Sequence, residues 1–364
     1  MSRKLLPALA ASAVLALGVA ACGGSDDSAD ASGDGVSGTI AGAGSSAQQA
    51  AQEAWKANFE SANSGATVSY DPIGSGGGRD QFIAGGATAF AGSDSPFDSD
   101  ELPKATQRCQ SGGGDLVQIP VYISPIAIVY NLPGVDSLQL SPDVTAKIFK
   151  GEITKWNDPA IAADNAGADL PDTDITPVHR SDESGTTANF TDYLNKAAPG
   201  VWTDEPDSNW PLKGGEAGAQ TSGMVQAVKA GEGTIGYADE SQAQDLGVAK
   251  VKVGSTYVAP SAEGAAADLE ASKKDPSLSQ GSTVFAYTVD RTSTDPSTYP
   301  VLLVSYLMGC TKYDSADTAN TVKAYFNYVI SSDGQQAAAQ NAGSAPLPAG
   351  ITKQNQTAVD SIGS

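Results

Sequence analysis

Histidine and cysteine are scarce in this 364-residue chain: one of the former, His179, and three of the latter, Cys22, Cys109 and Cys310. They form no Cys/His cluster at metal-ligand spacing, so no zinc centre or other metal is expected. Catalytic signatures are equally thin. No Gly-x-Ser-x-Gly elbow occurs, and the ligand clustering of metal phosphatases is absent. Gly42-x-Gly44 begins a dinucleotide-like pattern, but Ala47 leaves it incomplete, so no cofactor is expected. Cations are outnumbered, 21 Lys and Arg against 42 Asp and Glu, for a formal net charge of −21. Such an excess repels nucleic-acid phosphates along any broad contact. It does not exclude one small anion, because surface charges are screened beyond ~8 Å and local donors decide. After residue 21 no apolar run is long enough to span a membrane, and no internal repeat stands out.

The one long apolar run is at the start. Ser2-Arg3-Lys4 is a basic opening, Leu5 to Ala21 is apolar, and Val19-Ala20-Ala21-Cys22 places small residues before a cysteine. This resembles a bacterial lipobox: residues 1–21 read as a signal peptide, and Cys22 as a lipidated mature N-terminus. The alternative is an ordinary signal peptide with a free cysteine nearby. Residues 22–35, rich in Gly, Ser, Asp and Ala, have nothing to bury and read as a flexible tether. Removing Arg3 and Lys4 leaves 19 basic residues against 42 acidic, a formal −23 for the exported chain. Outside the cytoplasm, Cys109 and Cys310 can join in one disulfide or stay as two buried thiols.

What the chain has in abundance is small hydroxyl residues and glycines where strands give way to helices. Val178-His179-Arg180 ends a β-type stretch, and Ser181-Asp182-Glu183 makes a turn. Ser184-Gly185-Thr186-Thr187 then opens a segment whose Phe190, Tyr193 and Leu194 recur at helical spacing. Taken alone this is an N-cap after a solvated turn. It also leaves backbone N–H groups uncrowded at the positive end of a helix, with a permanent guanidinium four residues upstream of Ser184, and both favour an oxyanion.

The same grammar recurs earlier. Ser37 to Ile40 reads as a strand, then Gly44-Ser45-Ser46-Ala47, then a helix carrying Ala50, Ala54, Trp55, Ala57 and Phe59. Ala66 to Tyr70 reads as a strand, then Gly74-Ser75-Gly76-Gly77-Gly78-Arg79, then a helix beginning at Asp80. Ala89 to Gly92 is a short buried strand running into the polar corner Ser93-Asp94-Ser95-Pro96. Ligands of open α/β sheets gather at the carboxyl ends of strands, and four such ends in one chain outweigh any single cap. Leu116 to Tyr130, interrupted by Pro120 and Pro125, reads as strand, crossing, strand. Val144 to Lys150 reads as helix, and Trp202 to Gly218 as irregular. Met224 to Val228 reads as helix, Gly233 to Ala238 as strand, Tyr299 to Cys310 as a second crossing strand. Thr318 to Ile330 forms an amphipathic helix before a short last one.

These motifs, in this order, resemble the phosphate-binding protein of the bacterial phosphate-specific ABC transporter, the PstS family. The resemblance covers nearly all of the chain after the tether. It is most specific at Val178 to Thr187 with Phe190 to Leu194, and extends to Ile148 to Ile161, Gly74 to Gly78, Gly92-Ser93-Asp94 and Gly233 to Tyr237. It implies an α/β fold of the two-lobed periplasmic-binding-protein type II kind, with two hinge crossings and a ligand cleft between lobes. The first lobe would span residues 36–122 plus 300–364, the second 123–299. Cys109 and Cys310 then share a lobe, consistent with a bridge.

Carried over residue by residue, the resemblance assigns phosphate contacts to Ser46, the Ala47 backbone, Ser75, Asp94, Arg180, Ser184, Gly185 and Thr186. Asp182 would orient Arg180. The family's usual Thr-Phe-Pro is here Ser46-Ala47-Gln48; the hydroxyl and the amide survive, the aromatic does not. An ionised Asp94 accepts hydrogen bonds only, which suits phosphate, whose forms near neutral pH carry a proton, over sulfate, which carries none. The implied role is capture of inorganic phosphate and delivery to permease subunits, by a monomer held at the outer face of the cytoplasmic membrane. Alternatives are a secreted phosphatase-like hydrolase using His179 with Ser75 or Ser184, a binder of sulfate, molybdate or tungstate, and a surface adhesin with a vestigial site.

Overall fold

The computed structural model describes residues 36–243 and 245–363. The signal segment, the tether and Cys22 lie outside the described residues.

The apolar stretches of the sequence assemble into one curled sheet. In chain order its strands are β1 (Ser37–Gly44), β2 (Gly65–Asp71), β3 (Thr88–Ser93), β4 (Leu116–Asn131), β5 (Thr176–Arg180), β6 (Glu216–Gly218), β7 (Thr234–Asp239), β8 (Gly247–Val248) and β9 (Leu302–Cys310). They pair in the order β2-β1-β3-β9-β4-β7-β5-β6, with β8 added beside the end of β4. β1 is parallel to β2 and β3, and β5 is parallel to β6 and β7. The carboxyl ends of β1, β3, β5 and β6 each run into a turn carrying hydroxyls, glycine or acid.

Two long strands tie these parallel groups together. β4 is buried along nearly its whole length and β9 along all of it. From Leu116 to Pro125 β4 pairs antiparallel with β9; from Ile126 to Asn131 it pairs antiparallel with β7. The expected break between two strands is therefore absent: β4 is continuous. Pro120 and Pro125 lack an N–H, yet each is tolerated where the ladder is already irregular. β9 shifts register between Ser305 and Tyr306, opposite Pro120, and Pro125 is the last residue before β4 changes neighbour. The crossing is a change of partner within one strand.

Helices cover the sheet with the faces their spacing dictates. In α1 (Gln49–Ala62), Ala51, Gln52, Trp55 and Phe59 are buried, while Ala57 turns to solvent. α2 (Ser75–Ala84) begins five residues before the expected start at Asp80, so the glycine run is its first turn. Glycine is needed there because a Cβ on Gly78 would stand 2.4 Å from the Gly44 Cα and 2.7 Å from the Ala43 carbonyl. Gly74, just before it, sits at φ 100°. α3 (Gly185–Ala197) and α4 (Gln220–Ala230) follow β5 and β6. Glu216–Gly218, expected to be irregular, supplies the edge strand β6. α5 (Ala316–Ile330), α6 (Ser332–Ala342) and α7 (Ala349–Asp360) close the first face, where Trp55 Nε1 donates to the Gly334 carbonyl at 2.7 Å.

Cys109, on the helix Leu102–Ser111, is joined by a disulfide to Cys310 at the end of β9, across 201 residues of sequence and a Cα–Cα distance of 5.4 Å. Among the described residues no helix is long and apolar enough to cross a membrane, and no His/Cys/Asp/Glu group could hold a metal ion.

Candidate functional site

These strand ends converge, together with the glycine turn after β2. Asp94, one residue past β3, is the hub and is almost fully buried. Its backbone N–H donates to Ser75 Oγ at 3.1 Å, fixing the start of α2 against the end of β3. Its carboxylate accepts from Ser305 Oγ at 2.6 Å on Oδ1, and from Thr186 Oγ1 at 3.3 Å and Ser75 Oγ at 3.5 Å on Oδ2. Asn189, one turn into α3, donates to the Asp94 carbonyl at 2.6 Å. Burial pushes the Asp94 carboxyl up from its ordinary range, against hydrogen bonds from Ser305, Ser45 and Thr186 and the positive charge of Arg180.

The start of α3 is pressed close to this corner. Ser184 is the N-cap, accepting from the Thr187 N–H at 3.2 Å. Gly185 has no room for a side chain: a Cβ would lie 2.7 Å from Ser75 Oγ and 2.8 Å from the Asp94 Cβ. Ser184, Gly185 and Thr186 are buried, and they form the start of the helix that abuts Ser75 and Asp94.

Arg180 ends β5 with only 3% of its surface exposed. Asp182 grips it in a two-pronged contact, Nε to Oδ1 at 2.8 Å and Nη2 to Oδ2. Burial raises the Asp182 carboxyl, but the bonds and charge of Arg180 and the Gln220 N–H at 2.9 Å outweigh it and hold the group below its usual range. The third nitrogen, Nη1, lies 3.5 Å from Thr221 Oγ1. Thr221 in turn meets Ser46: its N–H donates to Ser46 Oγ at 3.0 Å, and the two hydroxyls are 3.0 Å apart. Hydrogen bonds thus run from Ser46 through Thr221 to Arg180, and from Ser75 through Asp94 to Thr186.

All of Ser46, Ala47, Ser75, Asp94, Arg180, Asp182, Ser184, Gly185 and Thr186 therefore fall in one neighbourhood. The Ala47 amide differs in detail from the expectation: it donates to Ser45 Oγ at 3.1 Å, a bond that an anion would have to share. Three contributors were missed in the sequence. Thr221 follows the same hydroxyl-at-helix-start pattern, but the helix was read only from Met224. Ser305 was detectable as the one serine or threonine in β9. Tyr237, whose hydroxyl is bonded by the Arg180 N–H at 3.3 Å and lies 2.8 Å from Thr187 Oγ1, gave no local signal.

Arg79 adds a second buried guanidinium. It donates to Glu101, Ser93 and Ser95 on one side, and to Glu183 at 2.7 Å on the other. With Asp94, Glu183 and Asn189 it lines a cleft of about 610 Å³. His179 is engaged elsewhere: Nδ1 meets the Arg180 carbonyl at 2.9 Å, and the ring stacks on Trp210 with centroids 5.2 Å apart.

A sequence model of the PBP superfamily domain matches residues 29–333. The phosphate-binding protein PstS2 of Mycobacterium bovis (strain BCG / Pasteur 1173P2) is 34% identical, over 97% of this chain and 98% of its own length. This chain belongs to the PstS family. Another relative, the phosphate-binding protein PstS of Xylella fastidiosa, is 33% identical over 82% of this chain and 79% of its own. Among solved structures, a high-affinity periplasmic phosphate-binding protein (PfluDING) bound with phosphate superposes with a TM-score of 0.69. It covers 87% of this chain and 92% of its own, at 22% identity. The phosphate-binding protein from Stenotrophomonas maltophilia gives 0.65, over 88% and 93%, at 20% identity. The PstS chain described here thus has the two-lobed periplasmic-binding-protein fold of these neighbours.

Proposed function

We infer that this PstS-family chain captures inorganic phosphate outside the cytoplasm and delivers it to the permease subunits of an ABC importer. One observation carries the reading: a buried carboxylate, Asp94, shares a hydrogen-bonded neighbourhood with the buried guanidinium of Arg180 and a ring of hydroxyls and helix-start amides. Donors alone would suit any oxyanion. An acceptor among them suits a tetrahedral anion that still carries a proton. Ser46, the Ala47 backbone, Ser75, Asp94, Arg180, Ser184, Gly185 and Thr186 would hold it, and Asp182 would keep the Arg180 fork aimed.

The lobes would be residues 36–122 with 300–364, and residues 123–299. On that division Ser46–Thr221, Asp94–Thr186 and Arg79–Glu183 are contacts between lobes, and the arrangement described here is the closed one. Cys22 would carry the lipid that holds a monomer at the outer face of the membrane. A hydrolytic role is disfavoured: His179 is committed to the Arg180 carbonyl and to Trp210, and bonds to neither Ser75 nor Ser184.

Calorimetric titration of the tether-free protein with phosphate, arsenate and sulfate tests this. Phosphate should bind, arsenate should compete because it shares shape and protonation, and sulfate should not. Absence of phosphate binding, or equal affinity for sulfate, overturns the reading.

A further inference from the structure

On the Oδ1 side of Asp94 lies a file of buried polar side chains, none of them among the residues assigned to the proposed anion. Tyr325 of α5 donates its hydroxyl to Gln52 Oε1 at 2.7 Å. Gln52 Nε2 donates to Gln48 Oε1 at 2.9 Å. Gln48 Nε2 donates to Ser305 Oγ and, at 3.1 Å, to the Tyr306 carbonyl. Ser305 Oγ donates to Asp94 Oδ1 at 2.6 Å. None of the five is more than 2% exposed. Gly92 leaves space for the file, since a Cβ there would stand 2.7 Å from Gln48 Oε1.

The direction of every bond in this file follows from one fixed group. The Tyr306 carbonyl can only accept, so the Gln48 amide must turn its NH₂ toward β9 and its oxygen toward Gln52. Gln52 must then present its NH₂ to Gln48 and its oxygen to Tyr325. Ser305, already receiving a proton from Gln48, has a single proton of its own, and Asp94 Oδ1 takes it. Oδ1 is thereby committed as an acceptor. Oδ2 receives the long bonds from Thr186 and Ser75, which leaves it able to accept a stronger donor; Ser45 also bonds the carboxylate.

We propose that Gln48 and Ser305, oriented by Tyr306, Gln52 and Tyr325, are positioning residues that fix Asp94 as a pure acceptor and so set the preference for a proton-bearing anion. This rests on the phosphate reading above. Without the Ser305 donor the carboxylate loses its shortest hydrogen bond and takes up a proton more readily, and with that proton on Oδ2 Asp94 can donate to an unprotonated oxyanion such as sulfate. Charged and titratable groups bearing on Asp94 are Arg180 of β5, Asp239 of β7 and Tyr70 of β2, and none of them donates to Oδ1.

The test is phosphate and sulfate titration of the wild type, Ser305→Ala, Ser305→Thr and Gln48→Glu, repeated across about pH 5 to 8. Ser305→Ala removes the donor. Gln48→Glu, nearly isosteric, takes the Ser305 proton for itself. Both should narrow the phosphate-to-sulfate affinity ratio by roughly tenfold or more and move the onset of sulfate binding to higher pH. Ser305→Thr keeps the hydroxyl and should keep the wild-type ratio. Should Gln48→Glu fail to fold, the Ala and Thr pair at 305 still decides. A ratio unchanged in Ser305→Ala, or lost equally in Ser305→Thr, overturns the relay. A wild type that binds no phosphate overturns the functional reading itself, which is a separate result.

Discussion

The Asp94 carboxylate gathers hydroxyls from three separate elements, while its backbone carbonyl takes the amide of Asn189. Its replacement by Asn keeps the shape and substitutes an NH₂ for one oxygen, so an acceptor becomes a donor. Asp94→Asn should weaken phosphate binding roughly 10- to 100-fold while raising sulfate affinity, as calorimetry with both anions would show. Equal losses for both anions would mean that Asp94 only holds the fold. Gly185 makes the complementary point about space. In Gly185→Ala the new methyl would crowd Ser75 Oγ and the Asp94 Cβ, and neither the strand end nor the helix start can retreat without separating. Phosphate affinity should fall roughly tenfold or more, on the scale of an overpacked core, with little change in the melting temperature of the ligand-free protein.

Among the elements, β9 bears the most constraint. It pairs with both β3 and β4, supplies Ser305 to Asp94, and ends in the cysteine bridged to Cys109. Closing so long a loop restrains the unfolded chain, so Cys109→Ser with Cys310→Ser should lower stability by about 2–5 kcal/mol. Denaturant titration would show it, with phosphate affinity of the folded fraction retained. Much of this level was legible in the sequence. Hydroxyls and glycine after a strand mark a helix start by local chemistry, which is why these strand ends stood out, whereas the roles of Ser46, Ser75, Asp94, Arg180 and Thr186 came from the family resemblance. The continuity of β4 was not legible, because what rescues Pro120 and Pro125 is the register of β9, almost two hundred residues away. The early start of α2 was hidden for the same reason: three glycines read as a loop until the strand against them is known. Thr221 and Ser305 were missed because their partners are chosen by packing and not by sequence distance.

For the molecule as a whole, acid should be protective over part of the range. Asp239, at the end of β7, is pushed up to about 7, mainly by burial, despite hydrogen bonds from Ser241, Ser124 and Tyr122; the charge of Asp94 adds to the rise. The folded chain keeps that proton to about pH 7, whereas the unfolded chain releases it near pH 4. Stability from this group is therefore complete below about pH 4 and is lost as pH rises toward 7, by up to about 4 kcal/mol. Asp182 and Asp192 act oppositely. Burial raises them, but Arg180 and Arg291 outweigh it and hold both low, so their contribution is present above about pH 4 and lost below it. The melting temperature of the ligand-free protein should rise as pH is lowered from about 8 to 5, then fall below about 4. Asp239→Asn should flatten the upper slope; an unaltered slope would assign it to other raised carboxyls, Asp268 first among them.

The change of neighbour within β4 has a mechanical meaning. Either side of Pro125 the ribbon is stitched to a different companion, β9 up to it and β7 after it, and the proline brings no N–H of its own. Flexing the ribbon at that seam would leave most of both ladders in place, at the cost of the bond from the Ile126 N–H to the Val301 carbonyl. If the proposed lobes part at that seam, few backbone bonds stand in the way, and the grip of the closed state would fall to the guest and the few side chains that reach across.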